Sequence, residues 1–496
     1  MLVRGSDGSY ESIDYRETAP AAAFRDMYEH DRNASITGAL SVAVPGELRG
    51  LEYLHTKYGR LPWETVVTPA VKVARTGFEV NEDLVRYMGA AMQNTRFLVE
   101  DPVWAQDFAP NGTLVKLGDI ITRKRYADSL EKIARYGAAI FYEGELAQSM
   151  VELIQSLNGT MTLDDLKDYT VKTGKPLSAD YRGYRLFTTA APSSGAVTLS
   201  MLKTLEQYPF REDPWKDGNL TLHRFVEAMK FAYGARQELG DPEFLRNINE
   251  YEKRMLSDKT AREVRGKIMD NQTQPVEVYD PEGVYAADSW GTSHIVTADS
   301  SGMTVSSTTT INLLFGAQIM TPDTGIILND EMDDFSQPGH RNAFGFEPAP
   351  ANFISPRKRP LSSITPLMAE YIDKNTDNEA FVFATGAAGG SRIVSATAQT
   401  AWHVLEHGFS LAEALAAPRL HHQLMPDVLL VEHMENFNGH LDGFDNETYE
   451  NLAARKHNVQ WQNPGLSAVQ AIMRLPNGTF VAASEPRQVN SGGFSI

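Results

Sequence analysis

Apolar residues recur three to four positions apart through most of the first half of the chain, the spacing of one face of a helix. The pattern predicts helices over 17–30, 46–58, 62–76 and 80–99, and again over 127–136, 144–157 and 163–169. Pro20 and Pro62 fall near the first turn of two of these, where a missing N–H costs little. Residues 181–190 switch to alternation, with Tyr184, Leu186 and Thr188 on one register, and predict a strand. Ala191-Pro-Ser-Ser-Gly195 opens another helix, and 220–239 is a long one. Between about Asn271 and Gly291 the periodicity fades among Pro275, Pro281, Gly283 and several acids, which predicts an exposed linker. From Thr292 onward the pattern turns β-rich. Strands are expected at 292–298 and 303–314, joined by an Asp299-Ser-Ser-Gly302 hairpin turn, and at 325–328, 381–385, 428–432, 468–474 and 479–483. Helices are expected at 391–407 and 411–416. Strands alternating with helices imply layered sheets covered by helices.

A length of 496 residues allows two ordinary domains or one large layered α/β unit. The net charge of −18 argues against nucleic acid as a partner, because phosphate binding needs a surplus of Lys and Arg on one face. The chain has no cysteine, so disulfides, thiolate nucleophiles and Cys-based metal sites are excluded. Asn-x-Ser/Thr sequons at Asn33, Asn111, Asn158, Asn219, Asn271, Asn446 and Asn477 lean towards a secretory history. No uninterrupted apolar run is long enough to span a bilayer, and the opening residues are not expected to act as a signal peptide. Met1-Leu-Val-Arg4 followed by Gly5-Ser-Asp-Gly-Ser9 has the pattern of a strand end and a hairpin turn, so a further segment is expected upstream.

With cysteine absent, a nucleophile must be Ser, Thr, Lys, Tyr, His or a carboxylate. No G-x-S-x-G elbow occurs. The segment Trp290-Gly291-Thr292-Ser293-His294 puts a small Gly before a Thr that starts a strand, directly after the predicted linker. That arrangement suits self-cleavage: the Thr292 hydroxyl attacks the Gly291 carbonyl, the acyl group shifts from N to O, and water releases it. The new α-amine, with a pKa near 8, then serves as the base for its own hydroxyl. A strand-entry Thr with no chemical role is the competing reading of this dipeptide. His294 lies two residues on, as a packed strand histidine or a residue that tunes the site.

Several blocks in order resemble the γ-glutamyltranspeptidase (glutathione hydrolase) family of N-terminal-nucleophile hydrolases. They are Ile13-Asp-Tyr-Arg-Glu-Thr-Ala-Pro20, Asp180-Tyr-Arg-Gly-Tyr184, Thr292-Ser-His294, Ser307-Thr-Thr-Thr-Ile-Asn312, Leu328-Asn-Asp-Glu-Met-Asp-Asp-Phe-Ser336, Lys358-Arg-Pro-Leu-Ser-Ser363, Gly386-Ala-Ala-Gly-Gly390 and Ala417-Pro-Arg-Leu-His-His422. The resemblance covers essentially the whole chain. It implies a four-layer αββα sandwich made as a precursor, with self-cleavage between Gly291 and Thr292. Segment 1–291 is then a helix-rich large subunit and 292–496 a β-rich small subunit, the two intertwined in one domain and forming a heterodimer. The implied reaction cleaves the γ-glutamyl amide of glutathione through a γ-glutamyl ester on Thr292, and passes the acyl group to water or to an amino acid or dipeptide. No cofactor and no catalytic metal are implied.

By the same resemblance Arg16 takes the substrate α-carboxylate, for which its planar fork is suited, and Ser362 and Ser363 add hydroxyl donors. Asn312, Glu331 and Asp334 take the α-ammonium. Thr310 orients the nucleophile, and period two puts it on a face with Thr308 and Asn312. Gly389 and Gly390, between a strand and a helix N-terminus, form the oxyanion hole. Phe344 closes a lid formed by 337–346. The acids Asp330, Glu331, Asp333 and Asp334 in isolation also fit a solvated loop or a metal site, although they lack the spaced ligands and turn glycine of a calcium loop. The family works on the extracellular or vacuolar side, which implies the secretory pathway. Two rival readings remain: a cephalosporin- or glutaryl-type acylase on the same scaffold, and an unprocessed, inactive γ-glutamyl-binding remnant.

Overall fold

The computed structural model describes residues 1–209, 218–280, 283–285, 291–339, 347–373, 378–433, 441 and 443–494. Two antiparallel sheets stack face to face. The first runs, edge to edge, Lys172–Gly174, Tyr10–Asp14, Leu2–Arg4, Thr304–Thr310 and Thr292–Ala298. The second runs Phe480–Ala483, Ala468–Arg474, Asn378–Ala388, Leu367–Asp373, Tyr184–Thr188 and Leu177–Tyr181.

Side-chain alternation builds the layers. Leu2 points between the sheets, where it meets Met368, Phe381, Ala384 and Ile472, while Tyr10 stacks on Phe187 at 3.8 Å. Met1 and Val3 point the other way, with Ile13 and Tyr15, onto Tyr53, Leu54 and Tyr58 of helix Glu47–Tyr58. The outer face of the second sheet, through Leu186, Leu367, Ala369 and Phe383, packs on helices Gly195–Glu206 and Arg392–Leu405, and helix Gly218–Arg236 packs on the first of these. The result is helix, sheet, sheet, helix. Strands from both sides of residue 291 share both sheets. Leu2–Arg4 pairs with Thr304–Thr310, and Tyr184–Thr188 pairs with Leu367–Asp373.

Several expectations from the pattern are overturned. Residues 17–30 form no helix, because their backbone groups are taken by distant partners: Thr18 exchanges hydrogen bonds with Val44 at 3.2 and 2.8 Å, and the Ala19 N–H reaches Lys358 O at 2.8 Å. The 80–99 helix is two, Glu82–Ala91 and Phe97–Glu100, the first opened by the Asn81 side chain accepting from the Leu84 N–H at 2.8 Å. The 181–190 strand is the end of one strand, Leu177–Tyr181, and the whole of another, Tyr184–Thr188. Arg182 and Gly183 turn the chain between them at φ 49° and 89°, the left-handed pair that a tight hairpin demands. The 303–314 strand stops at Thr310, and Asn312 follows at φ 70°. Residues 325–328 form no strand and contribute one isolated bridge, Ile327 to Met320. The linker is not exposed throughout. Val276–Tyr279 makes a helical turn, and buried Tyr279 packs on Phe231 at 4.7 Å. Residues 281–282 and 286–290 of that stretch lie outside the described residues. No helix among the described residues is long and apolar enough to cross a membrane.

Candidate active site

Thr292 opens the edge strand of the first sheet, and its register partner across the ladder is Thr310. Direct opposition brings the two side chains together. The Thr292 hydroxyl donates to Thr310 Oγ1 at 3.3 Å, and the Thr310 hydroxyl donates to the Gly291 carbonyl at 3.2 Å. The Ile311 N–H reaches the same carbonyl at 3.2 Å. The carbonyl before Thr292 therefore has two donors aimed at it, and one of them holds the candidate nucleophile. The Asn312 N–H fixes the Thr310 hydroxyl at 2.8 Å, and the Gly291 N–H bonds Asn312 O. Glycine is required at 291: a Cβ there meets Asn312 O at 2.5 Å and presses on the Leu313 carbonyl.

Period two does not put Asn312 beside Thr310, because the strand has already ended. The left-handed turn at Asn312 instead swings its side chain towards the acidic segment, where its amide N–H donates to Asp330 O at 3.0 Å. Its Oδ1 is buried and accepts no hydrogen bond. Glu331 and Asp334 follow on one turn of 3₁₀ helix, Glu331–Asp334. Both bond the guanidinium of Arg16, which is 6% exposed and also donates to Pro360 O at 3.2 Å. The sequence reading gave Arg16 to an anion and the two acids to a cation; here each is the other's partner.

Burial sets the electrostatics of this cluster. It pushes Glu331 and Asp330 well above the usual carboxylate range, and Glu17, 3.5 Å from Arg16, up to about 7. For Arg16, burial opposes the charge, but the facing carboxylates of Glu331 and Asp334 outweigh it. One guanidinium faces several carboxyl groups, and Oε2 of Glu331 and Oδ2 of Asp330 are buried without hydrogen-bond partners. Such a site has spare acceptors for an ammonium group.

Ser362 and Ser363 lie close by in the chain beyond Pro360 and Leu361. The Ser362 N–H bonds Pro192 O at 2.8 Å, and its hydroxyl accepts from the Ile364 N–H at 3.2 Å. The Ser363 hydroxyl accepts from Arg236 at 3.2 Å. A cavity of 380 Å³ is lined by Arg16, Glu17, Thr310 and Ser362 among others, while Thr292, Glu331 and Asp334 are not part of its wall. The bond geometry around Thr310 and Arg16 is therefore a better guide to the centre than the outline of the cavity. Gly389 and Gly390 follow strand Asn378–Ala388 at φ 127° and 61° and lead into helix Arg392–Leu405. A Cβ on Gly389 meets Ser467 Cα at 2.8 Å. This element lies against the Thr292 strand through Gly386, where a Cβ meets the His294 ring at 2.7 Å. His294 is buried, with Nδ1 2.8 Å from Thr308 Oγ1 and Nε2 3.2 Å from Ser306 Oγ, and burial lowers its pKa to about 3. It is a neutral packing residue. Phe344 lies outside the described residues.

Sequence reasoning missed the Ile311 N–H, the roles of Glu17 and Asp330, and Arg236. The first depends on where a strand ends. Arg236 is the last residue of a mostly buried helix, and nothing in its spacing sets it apart.

An αββα sandwich with a threonine at the head of an edge strand, next to its own polarised peptide carbonyl, defines an N-terminal-nucleophile hydrolase fold. A family model described as Gamma-glutamyltranspeptidase matches residues 1–494. The chain is 52% identical over 498 residues to a glutathione hydrolase proenzyme of Arthroderma benhamiae, covering 100% of this chain and 82% of that protein. It is 43% identical to a glutathione hydrolase of Aspergillus flavus, over 99% and 80% of the two chains. A cephalosporin acylase structure from Bacillus halodurans superposes with a TM-score of 0.81 at 25% identity, covering 98% of this chain and 84% of that one. The chain belongs to the γ-glutamyltranspeptidase family.

Proposed function

We propose that this chain is the precursor of a γ-glutamyl hydrolase and transferase that acts on glutathione and its conjugates. The observation that carries the reading is the hydroxyl relay from Thr292 through Thr310 to the Gly291 carbonyl, beside the Arg16, Glu331 and Asp334 cluster. In self-cleavage, Thr292 Oγ1 attacks the Gly291 carbonyl carbon. The developing oxyanion is held by the Thr310 hydroxyl and the Ile311 N–H. The C–N bond breaks, the Thr292 amine takes the proton, and water hydrolyses the resulting ester. Segments 1–291 and 292–496 remain associated as two subunits.

The freed α-amine then accepts the Oγ1 proton as Thr292 attacks the substrate γ-carbonyl. The N–H groups of Gly389 and Gly390, at a helix start, hold the tetrahedral oxyanion. The amine of the Cys-Gly portion leaves with a proton, and a γ-glutamyl ester remains on Thr292. Water or the amine of an amino acid or dipeptide resolves it. A substrate α-amino acid group is a zwitterion. Its carboxylate takes the Arg16 fork and the Ser362 and Ser363 hydroxyls, and its ammonium takes Glu331, Asp334 and the unfilled Oδ1 of Asn312. Each charge thus replaces one partner of the existing ion pair, so the buried groups stay compensated.

The acylase likeness extends to the fold. The acids that receive an ammonium favour a γ-glutamyl group over a glutaryl one, as does the higher identity to glutathione hydrolases. Six of the seven sequon asparagines are exposed, in keeping with passage through the secretory pathway. The test compares wild type and Thr292→Ala by denaturing electrophoresis and by turnover of γ-glutamyl and glutaryl anilides. Two bands and preference for the γ-glutamyl substrate are expected of wild type, and one intact band without turnover of the variant. A Thr292→Ala chain that still splits, or equal turnover of both anilides, overturns the reading.

A further inference from the structure

His223 and Glu227 stand one turn apart on helix Gly218–Arg236, and His457 reaches them from the turn before strand Val459–Gln462. Each residue brings one ligand atom to within 4.8 Å of the others. His223 and Glu227 are fully buried, and His457 is 5% exposed. No step of the proposed reaction uses them.

Their outer partners are those of metal ligands. His223 Nε2 sits 2.7 Å from the Met269 carbonyl, so it carries the proton and leaves the lone pair on Nδ1, which faces His457 Nε2 at 2.7 Å. Glu227 accepts from Thr273 Oγ1 and from the Tyr279 hydroxyl, each at 2.6 Å. The two rings meet through the nitrogens that would ligate a cation, which now share a single proton between them.

We propose that His223, Glu227 and His457 form a binding site for one divalent cation of the zinc class, separate from the reaction centre. Two imidazoles and one carboxylate suit zinc, with water as the fourth ligand. Zn–N bonds of about 2.0–2.1 Å set two tetrahedral nitrogens about 3.3 Å apart, so the histidine pair opens by roughly 0.6 Å on loading. Lys230, one turn along the helix, opposes a cation, as do Arg224 and Arg455 near His223. The Lys230 Nζ is held by Thr273 Oγ1 at 2.9 Å and faced by Asp427 at 3.4 Å, which also bonds His422 at 3.2 Å. The ligands come from both sides of residue 291, so the cation ties the two products of cleavage together.

The test uses the purified full-length protein, stripped with a chelator, incubated with Zn²⁺ and desalted, with metal measured by mass spectrometry. About one zinc per chain is expected, together with a higher melting temperature. His457→Gln and Glu227→Gln should each weaken binding at least tenfold while γ-glutamyl anilide turnover confirms their fold. Cobalt(II) should give the intense visible bands of a four-coordinate site in wild type and not in the variants. A wild type that retains less than about a tenth of an equivalent overturns the proposal, as does equal zinc in wild type and a folded variant. If both variants fail to fold, the wild-type stoichiometry and its cobalt spectrum decide.

Discussion

Thr310→Val replaces a hydroxyl by a methyl of nearly the same size in the relay that joins Thr292 to the Gly291 carbonyl. In the structure that hydroxyl accepts from Thr292 at 3.3 Å, donates to Gly291 O at 3.2 Å and accepts from the Asn312 N–H at 2.8 Å. The variant keeps the Ile311 N–H as the single donor to the carbonyl. Loss of one oxyanion donor costs about 2.7–4 kcal/mol in the transition state, a slowing of roughly 10²–10³-fold in self-cleavage. The orphaned Asn312 N–H adds a separate loss of about 1–3 kcal/mol in stability. Thr310→Ser restores all three bonds and should recover most of the rate. The assay is a time course of denaturing gels on freshly made precursor, with chemical denaturation run in parallel to read stability. A Thr310→Val precursor that cleaves within threefold of wild type refutes the relay. A Ser variant as slow as the Val variant shows that the hydroxyl alone does not set the rate and that the Thr310 methyl is needed to hold it in place.

Gly291→Ala forces backbone apart at Asn312 and Leu313, and a displacement near 1 Å at the scissile carbonyl predicts cleavage at least roughly 10²-fold slower by the same gels. Arg16→Lys keeps the charge but loses the fork. Loss of a charge-assisted bond of about 1.5–3 kcal/mol predicts kcat/KM for a γ-glutamyl anilide lower by about 10–100-fold, mostly through KM. His294 has a folded pKa near 3 against about 6.5 unfolded. The unfolded chain therefore binds more protons below pH 6.5, and stability falls as pH drops through that window. The loss from this residue at pH 5 relative to pH 7 is about 2 kcal/mol by denaturant titration, and His294→Gln should remove that part of the slope.

The helices 46–58, 62–76, 127–136 and 144–157 were legible because one face of each is buried and the other wet, which the spacing of apolar residues records directly. Strand Leu367–Asp373 was not. Its sequence, Leu-Met-Ala-Glu-Tyr-Ile-Asp, holds good helix formers, and it is a strand because it pairs with neighbours on both edges. Residues 17–30 failed for the complementary reason, since their backbone partners lie far off at Val44 and Lys358. In the candidate site, the strand that opens at Thr292 was legible from residue type and from the turn signals around it. The facing of Arg16 with Glu331 and Asp334, more than three hundred positions apart, was not, because no local spacing encodes it.

The sharing of strands across residue 291 bears on how the molecule unfolds and returns. Leu2–Arg4 is laced to Thr304–Thr310, and Tyr184–Thr188 to Leu367–Asp373, by main-chain ladders. Before scission, refolding is unimolecular. Afterwards the same native state must be rebuilt by two separate chains that first have to collide, at a rate that depends on their concentration. Neither product can complete either sheet alone, and each would expose unpaired strand edges while waiting. Scission of the one peptide bond before Thr292 would thus remove the easiest route back to the native structure. The mature molecule is expected to persist through slow unfolding rather than through reversible equilibrium.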